Sequence, residues 1–546
     1  MSLLGESKMR PWVLFCFGLV SLLLPNRVSG EDKWLYVSRN LQVDQSVVEL
    51  DELMRRGAAA GYTKMLLADS KFSRLSDVIE RYYVNVAKVQ ELSKKHGIEI
   101  VPTIFSIGYS NDLLHHNPNL AEALPVRGAP LLVSENGVAT LDSAGGPTLP
   151  GGDMSNLKLW SSHDDCIVSE DGTARIKPDG RNARLIQKLK VQPHRQYHVR
   201  VRIKTRDFQG TPEIKALAEG GASLQWANLG VQPTQDWTEY HAVFNSQKFS
   251  QVNLYLGVWG AESGDLWWDD AAIEEVAFLN MVRRPGAPLV IRTAEGKVLT
   301  EGTDYEQLSD PKMGSEPWQG EYNVYHTPPT LKTKLPAGTK LTADYYHVLT
   351  VYDGQVMICP SEPQTVELLR DQMQRMHKLW GAKAYMMSHD EIRCLNHCAA
   401  CQARQQTPGE ILADNARTCI QIAREVAPES KLYVWNDMFD PHHNAVPGPY
   451  YLVNGSLEKS WEGLDKNVII VAWYFEKRAE SLKFFADRGH SYIIAGYYDA
   501  NPEQAAAWLK TSKGIPGYQG IMYTTWRNNY RDLEKFSKVV DRALKP

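Results

Sequence analysis

The pattern of hydrophobic and polar positions changes twice along the chain. From Glu31 to about Gly108, short apolar runs alternate with amphipathic stretches. KWLYVSR (33–39), TKMLLAD (63–69) and IEIVPTIFSIG (98–108) have the composition of buried strands, while 43–60 and 76–96 place apolar residues at helical spacing between charges. Such alternation predicts parallel strands joined by crossover helices. The rhythm returns after residue 360, with helices expected over 363–380, 408–427, 477–488, 502–512 and 531–544. Between and after them lie the strands AKAYMMS, KLYVWND, NVIIVAW, SYIIAGY and GIMYTTW. Three strands before the interruption and five after it add up to an α/β fold, a (β/α)8 TIM barrel interrupted after its third strand.

The interruption follows a different pattern. Over 146–280, alternating segments such as QYHVRVRIKT, TEYHAVFNS and QVNLYLGVWG are separated by Gly, Pro, Asn and Asp turns, which predicts an antiparallel sandwich of jelly-roll type. Residues 281–360 form a β-rich connector that returns the chain to the barrel. The expected organisation is therefore barrel over 31–145, jelly-roll module over 146–280, connector over 281–360 and barrel again over 361–546.

Composition adds limits. At 546 residues, 43% apolar and 23% charged, the chain is a multidomain globular protein, too long for one ordinary core. A net charge of −4 with no Lys/Arg blocks leaves no electrostatic footprint for nucleic acid or anionic lipid. In the first thirty residues, Lys8 and Arg10 precede PWVLFCFGLVSLLLP, which is followed by Val28-Ser29-Gly30. That order predicts a secretory signal peptide over 1–30 and a secreted or periplasmic product. Its apolar run of about fourteen residues is short of the roughly 20 needed to span a bilayer. No later segment is apolar enough to do so, and no membrane span is expected.

Barrel chemistry sits at the C-terminal ends of the strands. In strand order the expected ends carry Arg39; Asp69; Tyr109; His389, Asp390 and Glu391; Trp435 and Asp437; Trp473 and Tyr474; Tyr497 and Tyr498; Trp526 and Asn528. Adjacent carboxylates after a buried strand are unfavourable for stability alone, because each charge raises the cost of the other. Carboxylates ringed by aromatic planes suit a neutral polyhydroxylated ring, and a glycan substrate is the expected partner. Histidine clusters and glycine-rich loops are scarce at the strand ends, so no metal or cofactor is expected there.

The sandwich resembles the jelly-roll carbohydrate-binding modules attached to glycosidases, on DWTEYHAVF (236–244) and GDLWWDDAAIEEV (264–276). Trp226, Trp259 and Trp267 either stack on sugar rings or fill the sandwich core. The barrel resembles glycoside hydrolases of family 20, the β-N-acetylhexosaminidases, on YVSRNL, SHDEI, VWNDM and TTWRNN. The resemblance implies a glycosidase that removes an N-acetylhexosamine or related sugar by substrate-assisted retaining hydrolysis. Glu391 would be the general acid, its pKa raised by its neighbour, and ionised Asp390 would orient the substrate's acetamido group. Trp435, Trp473 and Trp526 would wall the pocket, Tyr474 would bond the acetamido oxygen, and Arg39, Asp437 and Asn528 would meet ring hydroxyls. The chain departs from the family at Ser388 and His389, where glycines are usual, and at Asn528, where a Glu is usual. Two alternatives stand beside this reading: a two-carboxylate glycosidase with Glu391 as acid and Asp437 as second carboxylate, and a non-catalytic glycan-binding protein. A rim salt bridge to Arg393 would account for the charges without catalysis.

Cys394, Cys398 and Cys401 have C-x3-C-x2-C spacing, with His397 among them. An iron–sulfur cluster is disfavoured in an exported chain. A disulfide, free thiols, or a zinc clip using Cys394, Cys398, Cys401 and His397 remain open.

Overall fold

The computed structural model describes residues 32–142, 146–352 and 354–545. The leader expected over 1–30 lies outside the described residues. Eight parallel strands close into a barrel: β1 (Asp32–Ser38), β2 (Lys64–Ala68), β3 (Glu99–Ile104), β4 (Ala384–Met387), β5 (Lys431–Trp435), β6 (Ile469–Ala472), β7 (Tyr492–Ala495) and β8 (Tyr518–Tyr523). The last strand returns to the first with Asp32 opposite Gly520 and Leu35 opposite Tyr523, which leaves the barrel sheet no open edge.

Successive side chains on these strands enter two different cores. Trp34, Leu66, Val101, Met386 and Tyr433 fill the barrel interior. Their neighbours Leu35, Leu67, Ile100, Met387 and Val434 face the surrounding helices. Both faces are buried, which is why the strands read as continuous apolar runs.

The longer helices are α1 (Asp44–Ala59), α2 (Glu80–His96), α3 (Pro363–Trp380), α4 (Pro408–Val426), α5 (Arg478–Asp487), α6 (Gln504–Ser512) and α7 (Leu533–Leu544). Their ends follow local chemistry. At the start of α4, the Thr407 hydroxyl accepts from the Glu410 amide and the Glu410 carboxylate accepts from the Thr407 amide, with Pro408 in the first turn. Both α2 and α3 stop at left-handed glycines, Gly97 and Gly381. Between β5 and β6 the chain makes no α-helix but two short 3-10 turns, Asp437–Phe439 and Ser460–Gly463, and a two-residue strand, Leu452–Val453, where the sequence likewise shows no helical period.

Residues 105–362 interrupt the barrel between β3 and α3. Two five-stranded antiparallel sheets build a sandwich. One contains Gln196–Gln209, Gln235–Asn245 and Ser263–Val276; the other contains Ala183–Lys190, Pro212–Ala218 and Gln251–Val258. Val199 and Trp268 from the first sheet share one core with Leu185, Ile214 and Leu254 from the second. A third, six-stranded sheet pairs Leu124–Val133 with Lys340–His347. Residues 124–141, expected to belong to the barrel's first part, therefore lie in the connector's sheet. Their partners stand far along the chain, so the local pattern carries no sign of the pairing. The sandwich also touches the barrel: the Trp226 ring stacks on Tyr451 at 6.1 Å with a 25° interplanar angle.

Candidate active site at the barrel mouth

The C-terminal ends of the barrel strands surround a cavity of about 1020 Å³. One side is aromatic. Trp473, after β6, lies parallel to Tyr498, after β7, at 5.5 Å and 5°. Trp526, after β8, leans on Tyr36 of β1 at 5.1 Å and on Trp435 of β5 at 5.6 Å. The Asp499 carboxylate holds the loop that carries Trp526, accepting from the Trp526 amide at 2.7 Å, the Arg527 amide at 3.1 Å and the Thr525 hydroxyl.

The opposite side is acidic and is built by the loop after β4. The chain turns sharply at Glu391, whose φ of 49° is left-handed and unusual for a residue with a side chain. Two hydrogen bonds fix that turn: the Glu391 amide donates to Asp437 Oδ2 at 2.9 Å, and Gln355 Nε2 donates to the Glu391 carbonyl at 2.8 Å. Gly108, in the segment after β3, approaches so closely that a Cβ there would lie 1.9 Å from the Asp390 carbonyl oxygen. Only glycine fits.

Both neighbouring carboxyls reach the cavity, in different surroundings. Glu391 pairs with Arg393 at 2.8 Å and accepts a hydrogen bond from the Tyr109 hydroxyl. Arg393 is caged between the rings of Tyr352 and Tyr451, each 5.0 Å away, and donates to Gln355 Oε1 at 2.5 Å. The Asp390 carboxyl is pushed up to about 7, mainly by burial and further by the charge of Glu391. Burial thus raises the Asp390 carboxyl, while the resemblance implied Glu391 as the proton donor.

Of the expected site residues, Asp390, Glu391, Trp435, Trp473 and Trp526 meet at this cavity, and Arg39, Asp437, Tyr474 and Asn528 are not in its lining. Asp437 is buried beneath the loop by the 3-10 turn that follows β5. Its Oδ2 takes the Glu391 amide and Asn444 Nδ2 and so fixes the backbone of Glu391, while its Oδ1 is buried without a hydrogen-bond partner among the described residues. Burial, followed by the nearby Asp390 charge, pushes the Asp437 carboxyl well above the usual range. The Arg39 guanidinium is occupied by Glu49 Oε2 at 2.8 Å, the Ser38 carbonyl at 2.8 Å and Asn528 Oδ1 at 2.5 Å. Two of the three residues expected on ring hydroxyls, Arg39 and Asn528, thus bond each other. The Tyr474 ring stacks on His443 at 4.5 Å. His389 points to Asn415 of α4 at 3.0 Å, and burial pulls its pKa down to about 4. Asp69 reaches the cavity, but its oxygens accept from the Leu41 and Lys71 amides and the Tyr82 hydroxyl.

Tyr352, Tyr451 and Asp499 are among the lining residues not expected from the sequence. Asp499 follows the strand-end pair Tyr497-Tyr498, a position that offered a signal; the two tyrosines come from the connector and the helix-less segment after β5, and offered none.

No family model matches the chain, and no curated protein does. Among solved structures, a β-N-acetylhexosaminidase is similar over 95% of this chain and 72% of its own, at 8% identity and a TM-score of 0.42. The Streptomyces plicatus N-acetyl-β-hexosaminidase is similar over 95% of this chain and 64% of its own, at 10% identity and a TM-score of 0.36. A carbohydrate-binding module, CBM4, is similar over 21% of this chain and 77% of its own, at 16% identity and a TM-score of 0.16.

Proposed function

We propose that the protein is a glycoside hydrolase that cleaves a terminal N-acetylhexosamine or a closely related sugar at the barrel mouth. One observation carries the reading: two adjacent carboxyls, Asp390 and Glu391, open into a cavity walled by Trp435, Trp473 and Trp526. Indole faces suit the C–H faces of a pyranose. Glycoside cleavage needs one carboxyl that donates a proton to the leaving oxygen and one anion that stabilises positive charge at the anomeric carbon. When the anion acts through the substrate's own acetamido group, that group closes on C1 as the bond to the leaving oxygen breaks, and water later opens the ring so formed. The requirement for an acetamido group is the distinctive chemical mark of this route.

Two assignments of the pair differ in outcome. The family resemblance makes Glu391 the proton donor and Asp390 the orienting anion. The reverse is favoured by the Arg393–Glu391 pair and by the raised pKa of Asp390. An aryl glycoside whose leaving group needs no protonation separates them. The variant lacking the donor keeps activity on that substrate and loses it on a poor leaving group, whereas the variant lacking the anion loses both. Asp390→Asn and Glu391→Gln assayed on both substrates decide the roles. Release of sugars without a 2-acetamido group at comparable rates would remove the substrate-assisted reading, and no release at all would leave a glycan-binding protein. Asp437, buried beneath the Glu391 peptide, is poorly placed as the second carboxylate of a direct displacement.

Export belongs to the same proposal. An N-terminus beginning at Glu31 in protein recovered from the periplasm or medium is the expected result of N-terminal sequencing.

A further inference from the structure

The loop after β4 carries a second cluster, whose residues are absent from the lining of the mouth cavity. Cys398 and Cys401 stand at the start of the short helix Ala399–Gln402. Cys359 ends the connector just before α3, and Glu122 lies between β3 and the third sheet. All four side chains are buried. Cys359 Sγ is 3.4 Å from Cys398 Sγ and 3.6 Å from Cys401 Sγ, and Glu122 Oε2 is 3.4 Å from the sulfurs of both Cys398 and Cys401. The four atoms all lie within 4.8 Å of one another.

These separations are close to the edges of a small tetrahedron. Bonds of about 2.3 Å to sulfur and about 2.0 Å to oxygen give S···S edges of roughly 3.8 Å and S···O edges of roughly 3.5 Å. The carboxylate is also oriented from outside the cluster. Glu122 Oε1 accepts from the amides of His397 at 2.7 Å and Cys398 at 2.9 Å, which aims Oε2 at the sulfurs. Such an outer shell is what a metal-ligating carboxylate needs. Without a cation, Oε2 of this buried carboxylate would face only weak thiol donors, a costly arrangement. Three thiolates and a carboxylate exceed the charge of a divalent ion, and the Arg284 guanidinium beside Glu122, Cys359 and Cys398 offsets part of the excess.

The candidates suggested by sequence spacing divide here. Cys398 and Cys401 join the cluster. His397 turns its Nε2 to the Leu452 carbonyl at 2.6 Å, and Cys394 is buried outside the cluster. Glu122 and Cys359 take their places, brought in from other segments of the chain.

We propose that Glu122, Cys359, Cys398 and Cys401 form a structural zinc site that fastens the loop after β4 to the base of the inserted domains. A thiolate-rich set suits zinc over harder divalent ions, and four protein ligands leave no open position for catalysis. The loop it fastens is the one that presents Asp390, Glu391 and Arg393.

Metal analysis of the full-length protein, purified without added metal and again after chelation and zinc reconstitution, tests this. The expected result is one zinc per chain, with all three cysteines recovered as free thiols by alkylation in denaturant with chelator. Cobalt(II) in place of zinc gives the ligand-field and thiolate charge-transfer bands of a tetrahedral site. Glu122→Gln weakens retention by roughly tenfold or more, Cys401→Ser weakens it further, and Cys394→Ser keeps the zinc. Failure of the reconstituted, reduced wild-type protein to bind zinc overturns the proposal, as does a disulfide between any two of Cys359, Cys398 and Cys401. Those two results need no variant to fold. Loss of zinc in Cys394→Ser to the degree seen in Cys401→Ser also overturns this ligand set.

Discussion

The mouth cluster and the cysteine cluster hang from the same loop and treat buried charge in opposite ways. At the mouth, Asp390 sits beside a like charge, faces an open cavity and holds its proton up to about 7. At the cysteine cluster, donor atoms from three chain segments converge on one point out of reach of solvent. A mismatch open to solvent makes a proton available for transfer, whereas a matched and closed set resists exchange and serves as a fastening. Position along one loop thus decides between chemistry and support.

Separating activity from stability tests the contrast most strongly. Asp390→Asn and Glu391→Gln are expected to lower kcat/KM on an N-acetylhexosaminide with a poor leaving group by about 10³-fold or more, with the cooperative fold retained. Calorimetry beside initial rates checks this, and a collapse of Tm in both variants would merge the two clusters into one structural unit. Gly108→Ala is expected to cost about 10²-fold in kcat, because the Asp390 peptide must move to admit the new carbon. Next comes Arg393→Ala, which leaves Glu391 without its partner and is expected to lower stability by about 3 kcal/mol in urea titration. The same change removes a cation that lowers the Asp390 pKa, so the limb of the pH–rate profile set by Asp390 moves upward.

Smaller effects appear through pH. The folded-state pKa of Asp390 stands above its ordinary value, so the fold binds a proton that the unfolded chain gives up. Stability therefore falls as pH climbs from about 4 toward 7. Asp390→Asn abolishes that fall, and its Tm is expected to exceed the wild-type value at pH 8 by more than at pH 5. The least effect is expected from Trp267→Ala on the outer face of the sandwich. Trp267 there lies against Arg175 at 5.4 Å and Arg206 at 5.6 Å and bonds Glu170 at 3.3 Å. On a small soluble glycoside its kcat/KM is expected to stay within about twofold of wild type, as residues far from the reacting groups act independently.

Much of the barrel was legible because its strands are buried on both faces and its helices carry one apolar stripe, both of which leave periodic marks. The mouth was legible wherever a strand end names the residue, as for Asp390, Trp435 and Trp473. It was misread where a polar residue at a strand end has a partner nearby in space but not in sequence. Arg39 and Asn528 answer each other across the junction of β1 and β8. Asp437 is spent on a peptide N–H of the preceding loop. Spacing was least informative for the cysteines, since C-x3-C-x2-C includes Cys394, which lies outside the cluster, and omits Cys359 and Glu122. The tryptophans of the sandwich were likewise undecided by sequence. Trp226 and Trp259 flank the Lys215 ammonium at 3.8 and 3.3 Å, and Trp268, next to Trp267, fills the core together with Trp160.

The ring of Trp226 reaches out of the sandwich to Tyr451, and Tyr451 is one of the two plates that hold Arg393. An inserted domain with that reach is not an accessory that can be trimmed without consequence. A shortened chain that joins the barrel halves directly would lose a buttress three contacts removed from Glu391.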